Sequence, residues 1–144
     1  ELNPMVEEII ADLSLLADKK NITLSTTGNS TITGSDTLLY QMIYNLVENA
    51  IKYNNQDGSV SININNDDKY TYIQVKDTGN GIPKEYQETI FQPFFRIDKS
   101  RNRQFGGVGL GLALVYEIAK LHKACVYVKD SNNNGTIIEV KMEH

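Results

Sequence analysis

A glycine-rich stretch, Gly106 to Gly111, comes directly before a segment whose leucines recur at helical spacing. Glycines carry no side chain, so backbone N–H groups and the positive end of a following helix can approach an anion there. The stretch is not a Walker A loop, because no Gly-Lys-Ser/Thr follows, and no strand leads directly into it as in a Rossmann fingerprint. It is compatible with an anion site but does not specify the anion.

Asp77 follows an alternating strand pattern and comes directly before the turn Gly79-Asn80-Gly81. Aspartates are common in turns for purely structural reasons. A buried carboxylate facing a pocket could instead accept a hydrogen bond from an exocyclic amine, which is how a site distinguishes adenine from guanine. This motif alone leaves both interpretations open.

Two asparagines and a lysine share the segment Asn45 to Tyr53, which reads NLVENAIKY. In a helix, Asn45, Asn49 and Lys52 align on the edge of an apolar stripe. Asparagine competes with the backbone for hydrogen bonds, so two of them in mid-helix need an explanation beyond helix formation. A solvated helix face would give the same pattern. The stripe itself is predicted to contain Leu39, Met42, Ile43, Leu46 and Ala50.

Composition limits the class of protein. A chain of 144 residues with 40% hydrophobic content fits one domain with a single core. A net charge of -4 gives no electrostatic reason to expect a nucleic-acid partner. The single cysteine, Cys125, excludes an internal disulfide, and its apolar neighbours predict a buried strand thiol. Since no run of eighteen apolar residues occurs, we expect a soluble piece, which could still belong to a larger membrane protein.

Periodicity and turn residues predict the elements that position these groups. In chain order they are a helix with Asn3 as N-cap and Pro4 at N1, an early hairpin of strands 22–26 and 31–33, a central helix capped by Ser35-Asp36, strands 60–64 and 72–76, a short helix from Pro83 to Phe91, a helix from Gly109 to His122 with Leu114, Ile118 and Leu121 on its apolar face, and strands 125–129 and 136–142 around a turn at 130–135. The strands have one apolar and one polar face, which is typical of an antiparallel sheet with helices on one side. The irregular segment 92–107 is long enough to be a functional loop or lid.

Taken together, these segments resemble the ATP-binding catalytic domain of sensor histidine kinases. That family is a branch of the GHKL ATPase superfamily, which also holds DNA gyrase, mismatch-repair and heat-shock chaperone ATPases. The resemblance covers about Leu13 to Val140. Asn134-Gly135-Thr136 matches the third glycine box only in part, because Asn133 stands where another glycine is often found. The four spaced motifs that match are Asn45 to Tyr53 (N box), Asp77 to Gly81 (first glycine box), Phe91 to Arg96 (F box) and Gly107 to Leu112 (second glycine box).

The resemblance implies ATP and Mg²⁺ as cofactors. Asn49, and Asn45 less directly, would hold Mg²⁺, a cation that prefers oxygen ligands. Asp77 would accept a hydrogen bond from the adenine amino group. Asn45 and Arg96 are the implied catalytic residues, with Arg96 neutralising the γ-phosphate during transfer. The residues implied to contact the nucleotide are Asn45, Asn49, Lys52, Tyr53, Asp77, Gly79, Gly81, Ile82, Phe94, Arg96, Gly107, Val108, Gly109, Leu110, Gly111, Leu112 and Thr136.

The first N-box position separates transfer from hydrolysis. In the hydrolases of the superfamily it is typically a glutamate that activates water, whereas Asn45 carries an amide that cannot act as a base at neutral pH. Transfer to an outside nucleophile is therefore favoured. Glu48, about 60° from Asn45 on the helical wheel, remains an alternative base. His122 is expected to stabilise a helix end and to have no catalytic role.

We therefore expect an α/β (α+β) two-layer sandwich, a mixed, mostly antiparallel sheet covered on one face by three helices. It would form one domain over residues 1–144, with an ATP lid at about 92–107. The domain would bind Mg-ATP and phosphorylate a histidine on a dimerisation domain absent from this chain, ultimately for a response regulator. We expect a monomeric fragment of a dimeric, membrane-anchored sensor kinase, located in the cytoplasm. The alternatives are a nucleotide-binding regulatory module without transfer and an anti-sigma-factor-type serine kinase.

Overall fold

A computed structural model describes residues 1–92 and 111–143 of the chain. The predicted lid beyond Gln92 and the first part of the second glycine box lie outside these ranges. Within them, each helix is too short or too polar to cross a lipid bilayer. In chain order the elements are helix α1 (Asn3–Asp18), strand β1 (Thr23–Gly28), helix α2 (Asp36–Lys52), strands β2 (Ser59–Asn66) and β3 (Tyr70–Asp77), two 3-10 turns (Lys84–Tyr86 and Thr89–Phe91), helix α3 (Gly111–Leu121), and strands β4 (Ala124–Asn132) and β5 (Gly135–Glu143).

The strands form one five-stranded sheet in the order β1-β2-β3-β5-β4. Strands β1 and β2 are parallel, and the other neighbouring pairs are antiparallel. A parallel pair needs a crossover connection, and α2 provides it. The mixed, mostly antiparallel sheet predicted from the sequence is confirmed.

The core lies between one face of the sheet and the three helices. Alternate strand residues such as Ile62, Ile73 and Val140 are fully buried, while the intervening residues point to the other face. Helix α1 contributes Val6, Ile9 and other apolar residues to the same cluster. This is the predicted two-layer arrangement, with helices on a single face of the sheet.

The predicted early hairpin is wrong. Strand β1 pairs with β2, and the segment 31–33 forms no strand. Its neighbour Ser30 is instead tied to two other elements: its carbonyl oxygen accepts from the N–H of Leu2 at 2.9 Å, and its Oγ lies 2.8 Å from Oγ1 of Thr71. Because these bonds run to the start of α1 and to β3, the chain crosses towards α2 rather than turning back along β1.

Of the two predicted N-caps, one is confirmed and one is wrong. The predicted cap of the central helix is confirmed, since Ser35 Oγ accepts from the N–H of Leu38 at 3.2 Å. The Asn3 cap is wrong by one residue: Leu2 is the N-cap, and Asn3 is the first helical residue. The backbone N–H of Asn3 has no acceptor within the helix and donates to Oδ1 of Asn29 at 2.8 Å. A residue distant in sequence therefore supplies a hydrogen-bond partner at the start of α1.

Two further elements have different bounds from those predicted. The single short helix from Pro83 is two separate 3-10 turns, with Pro83 in the N-cap position of the first. The final hairpin has longer strands and a tighter turn than predicted, because Asn132 already pairs with Gly135. The register of the β4–β5 pair shifts between Val128 and Asp130, as at a β-bulge.

Two predictions of burial are wrong. Cys125 is exposed, because its neighbours Ala124 and Val126 point towards the helices and the alternation turns Cys125 to the open face of the sheet. Leu121 was placed on the apolar face of the last helix, but 72% of it is exposed. The buried residues of α3 are Ala113, Val115, Ile118 and Ala119.

His122 joins the two helices that flank the predicted nucleotide site. Its Nε2 accepts from the N–H of Ser35 at 3.2 Å, and its Nδ1 lies 2.9 Å from the carbonyl oxygen of Ile118. Since Nε2 accepts, Nδ1 carries the proton and donates it to Ile118. One imidazole therefore connects the end of α3 with the cap of α2.

Candidate functional site

Helix α2 presents two asparagines at the edge of its buried face. The predicted apolar stripe is confirmed and is wider than expected, because Val47 and Ile51 are buried as well. Asn45 and Asn49 are half-buried, and neither side-chain amide bonds to another described residue. Partly buried polar groups usually have a hydrogen-bond partner. Since these two amides have none among the described residues, they are available to a ligand.

The last turn of α2 carries the next two predicted residues. Lys52 Nζ lies 3.7 Å from Oε1 of Glu48, one helical turn earlier, and both side chains are partly exposed. Such pairs contribute little to stability, so Lys52 can exchange this partner for a phosphate at little cost. Tyr53 is the C-cap residue, with half of its surface exposed.

Asp77 lies at the end of β3 with one carboxylate oxygen fixed. Its Oδ1 accepts from the N–H of Gly79 at 2.9 Å and from the N–H of Thr136 at 3.2 Å. Burial raises the pKa of Asp77, and these two backbone hydrogen bonds only partly oppose that rise. Its Oδ2 makes no hydrogen bond within residues 1–92 and 111–143. The carboxylate is therefore held by one oxygen and can offer the other to a donor.

Two glycines allow backbones to meet around Asp77. Gly135 has φ +142°, and a Cβ there would lie 1.9 Å from the carbonyl oxygen of Asp77. Gly81 has φ +85°, and a Cβ there would lie 2.2 Å from the carbonyl oxygen of Asn132. No larger residue fits at either position without moving the backbone. The β4–β5 hairpin can therefore pack directly against the turn that follows β3.

Ser131 links that hairpin to the first glycine box. Its Oγ accepts from the N–H of Ile82 at 2.7 Å and lies 2.8 Å from Oγ1 of Thr136. Thr136 is 4% exposed, so this contact is inside the protein. Ser131 was not predicted as a site residue, because it lies in what the sequence indicated to be an ordinary turn.

Asn54 joins the end of α2 to the same glycine box. Only 6% of it is exposed; its Oδ1 accepts from Oγ1 of Thr78 at 3.1 Å, and its Nδ2 donates to the carbonyl oxygen of Ser59 at 2.9 Å. The side chain of Asn55 adds a bond of 3.3 Å to the carbonyl oxygen of Thr78. The predicted N box and first glycine box are therefore adjacent, although sequence reasoning missed the residues that connect them.

The second glycine box is described only at its end. Gly111 is exposed at the start of α3, and nothing lies within 4 Å of the position of its Cβ. Leu112 is half-buried and packs on the core. The other predicted residues of this box and of the F box lie outside the described residues; they are Phe94, Arg96, Gly107, Val108, Gly109 and Leu110.

The donor set suits Mg²⁺ better than a metal that needs charged protein ligands. No group of three His, Cys, Asp or Glu side chains within residues 1–92 and 111–143 could hold a metal ion. A hard cation bound between protein and phosphates needs only one or two oxygen ligands from the protein. The unpartnered amides of Asn45 and Asn49 fit that role.

The fold and the adjoining motifs define an ATPase-type nucleotide-binding α/β sandwich. Residues 34–144 match the model of the family described as "Histidine kinase-, DNA gyrase B-, and HSP90-like ATPase", and the chain belongs to that family. The resemblance seen in the sequence is confirmed. ATP is the nucleotide that this family implies.

Individual proteins similar to this chain in sequence or in structure are sensor kinases, in agreement with the family. Sensor protein CiaH of Streptococcus pneumoniae is 44% identical over 112 residues, covering 78% of this chain and 25% of CiaH. The mycobacterial sensor histidine kinase MprB superposes with a TM-score of 0.81 at 25% identity, covering 96% of this chain and 95% of that structure. Histidine kinase ThkA, in complex with response regulator protein TrrA, shares the fold with a TM-score of 0.78 at 23% identity, covering 99% of this chain and 40% of that one. The chain therefore spans about a quarter of the length of its CiaH relatives.

Proposed function

We propose that this chain binds ATP with Mg²⁺ and transfers the γ-phosphoryl group to a histidine on the dimerisation domain of its own kinase. The observation that carries the proposal is the Asp77 carboxylate. Backbone N–H groups fix Oδ1, while Oδ2 has no partner among the described residues. A fixed acceptor of this kind matches the exocyclic amine of adenine and repels the carbonyl oxygen of guanine.

The end of α2 would bind the triphosphate. Asn49, assisted by Asn45, would hold Mg²⁺ through amide oxygens, and the ion would neutralise phosphate charge. Lys52 would replace its exposed contact with Glu48 by a contact to phosphate. Tyr53 would flank the base, since it lies beside Gly79: a Cβ on that glycine would be 2.8 Å from the carbonyl oxygen of Tyr53.

Transfer is favoured over hydrolysis by the side chains near the phosphate end. Asn45 stands where the hydrolases have a glutamate, and its amide cannot take a proton from water. Glu48, the alternative base, pairs with Lys52. Arg96 would stabilise charge on the γ-phosphate during transfer, together with the lid glycines Gly107 and Gly109. These last roles rest on the sequence alone.

The partners would be a histidine-bearing dimerisation domain and a response regulator. ThkA, which has this fold, binds the regulator TrrA. We place the domain on the cytoplasmic side of a membrane-anchored dimeric kinase. Nucleic acid is not among the proposed partners, in keeping with the net charge of -4.

Calorimetry and phosphotransfer test the proposal. The chain should bind ATP more tightly with Mg²⁺ than with EDTA. It should bind GTP at least ten times more weakly than ATP, a difference of about 1.4 kcal/mol in binding free energy. With γ-labelled ATP and a histidine-bearing helical hairpin from its own kinase, acid-labile label should appear on the hairpin. Equal affinity for ATP and GTP would contradict the role of Asp77. Label on serine of an added protein would instead indicate an anti-sigma-factor-type kinase.

A further inference from the structure

The side chain of Lys20 binds the end of a helix other than its own. Lys20 lies between α1 and β1, yet its Nζ donates to the backbone carbonyl oxygens of Lys52 at 2.6 Å, Asn54 at 3.0 Å and Ile51 at 3.4 Å. The last carbonyl groups of a helix have no partner within the helix, and its C-terminus carries partial negative charge. An ammonium group offers three donors to these carbonyl groups and a positive charge to the negative end of the helix.

The same connection also holds the loop that follows α2. The N–H of Asp57 donates to the carbonyl oxygen of Lys20 at 2.9 Å, and Nδ2 of Asn21 donates to Oδ1 of Asp57 at 2.8 Å. Asn21 and Asp57 have positive φ values of 52° and 65°. That conformation is disfavoured for residues with a side chain and persists where surrounding bonds hold it. The α1–β1 connection and the loop after α2 are therefore fixed together.

We propose that Lys20 is a positioning residue for the nucleotide site, because it fixes the last turn of α2 and the residues that follow. This inference rests on the proposed function. Lys52 and Tyr53 belong to that turn, and Asn54, directly after it, is bonded to Thr78 beside Asp77. Through one ammonium group, the phosphate end and the adenine end of the site are held at a fixed separation.

The contribution of Lys20 differs from that of the core. Seven buried residues hold α2 against the sheet and do not depend on Lys20. Lys20 is half-buried, and burial lowers its pKa. The three carbonyl groups that accept from Nζ oppose this effect, because they stabilise the ammonium form. Its loss should therefore free the last turn of α2 while the fold remains.

Three variants test the inference at 25 °C, where thermal melts must first show each to be folded. Lys20→Met keeps the aliphatic stem but removes the donors, Lys20→Arg keeps several donors, and Lys19→Met changes the exposed neighbour. We expect Lys20→Met to lower ATP affinity about tenfold, the size of one lost charge-assisted bond network. Lys20→Arg should stay within about threefold of wild type, and Lys19→Met should not change affinity.

Amide hydrogen exchange without nucleotide gives a second measurement. The N–H groups of Tyr53 and Asn54 donate to Asn49 and Ile51, so they report on opening of this turn. Both should exchange faster in Lys20→Met and at the wild-type rate in Lys19→Met. Unchanged exchange, or faster exchange with unchanged ATP affinity, would overturn the inference. A wild-type chain that does not bind ATP would overturn the proposed function, which the exchange measurement distinguishes from loss of the contact itself.

Discussion

At the scale of single residues, Asp77 combines a stability cost with the recognition role that we propose for it. Burial raises its pKa, which means that the folded protein disfavours the charged form. The bonds from Gly79 and Thr136 reduce this cost without removing it. A residue kept in an unfavourable environment is a candidate for function rather than for stability.

Asp77→Asn should separate these two properties. The amide oxygen can still accept from Gly79 and Thr136, but the NH₂ group would face the adenine amine, donor against donor. We expect ATP affinity to fall by roughly 100-fold, in line with loss of a bond to a charged group. The melting temperature should stay the same or rise. Calorimetry and thermal melts measure both, with the exposed Asp68→Asn as the control. Retained ATP affinity would remove Asp77 from adenine recognition.

The raised pKa of Asp77 also predicts a pH dependence of stability. The folded state holds this proton more tightly than the unfolded chain, whose carboxyl has its ordinary value of 3.8. Stability contributed by the protonated form is therefore present at low pH and is lost as pH rises through the folded pKa. Urea unfolding from pH 7 to pH 4 should show wild type less stable than Asp77→Asn at pH 7, with the gap closing on acidification. A gap that widens towards pH 4 would contradict the sign.

At the scale of elements, local patterns predicted what local forces determine. Ser35 is followed within one turn by the N–H that it accepts, so the cap of α2 was predictable. The alternation of β2 and β3 identified their buried faces. The partner of β1 was not predictable, because β2 lies beyond a whole helix and the segment 31–33 has a comparable strand pattern.

The site divides in the same way. Residue type and spacing made Asp77 and the two asparagines of α2 candidates, and the family resemblance supplied the roles predicted for them. Lys20, Asn54 and Ser131 were missed, since their partners are distant in sequence, 34 residues away for the bond from Lys20 to Asn54. A turn lysine or a turn asparagine has no local signature that distinguishes a buried bond from a solvated one.

The substitution Gly135→Ala tests whether the start of β5 controls the geometry of Asp77. In Gly135→Ala the Cβ would meet the carbonyl oxygen of Asp77 at a backbone conformation that alanine disfavours. We expect the free energy of unfolding to fall by about 2 to 3 kcal/mol, with weaker ATP binding. Gly111→Ala is the matched control for stability, because its Cβ would lie in open space at the start of α3. Urea unfolding of the two variants should differ; similar losses would indicate a general glycine effect.

At the scale of the whole molecule, the proposed ATP binding and the proposed phosphoryl transfer would need different parts of a larger protein. Both ring nitrogens of His122 are engaged, one by Ser35 and the other by Ile118. The imidazole cannot attack a phosphate without giving up these contacts. His144 lies outside the described residues.

The chain alone should therefore bind ATP without phosphorylating itself. Adding a histidine-bearing hairpin from the same kinase should produce slow transfer in trans, since the covalent tether that raises local concentration is missing. Arg96→Ala should slow that transfer more than it weakens binding, because its contact is expected mainly in the transition state. Label from γ-labelled ATP, followed on both proteins, measures this. Acid-labile label on the chain alone would contradict the argument from His122.

The position of β5 sets an order of assembly during synthesis on the ribosome. Strand β5 follows β4 in the sequence but lies inside the sheet, between β3 and β4. Until residues 135–143 leave the exit tunnel, β3 is an open edge beside unpaired apolar side chains, a state that invites wrong pairing or chaperone capture. Thr136, which holds the Asp77 carboxylate, arrives with that strand. In a nascent chain, the Asp77 carboxylate consequently cannot take its hydrogen-bonded geometry before β5 has left the exit tunnel.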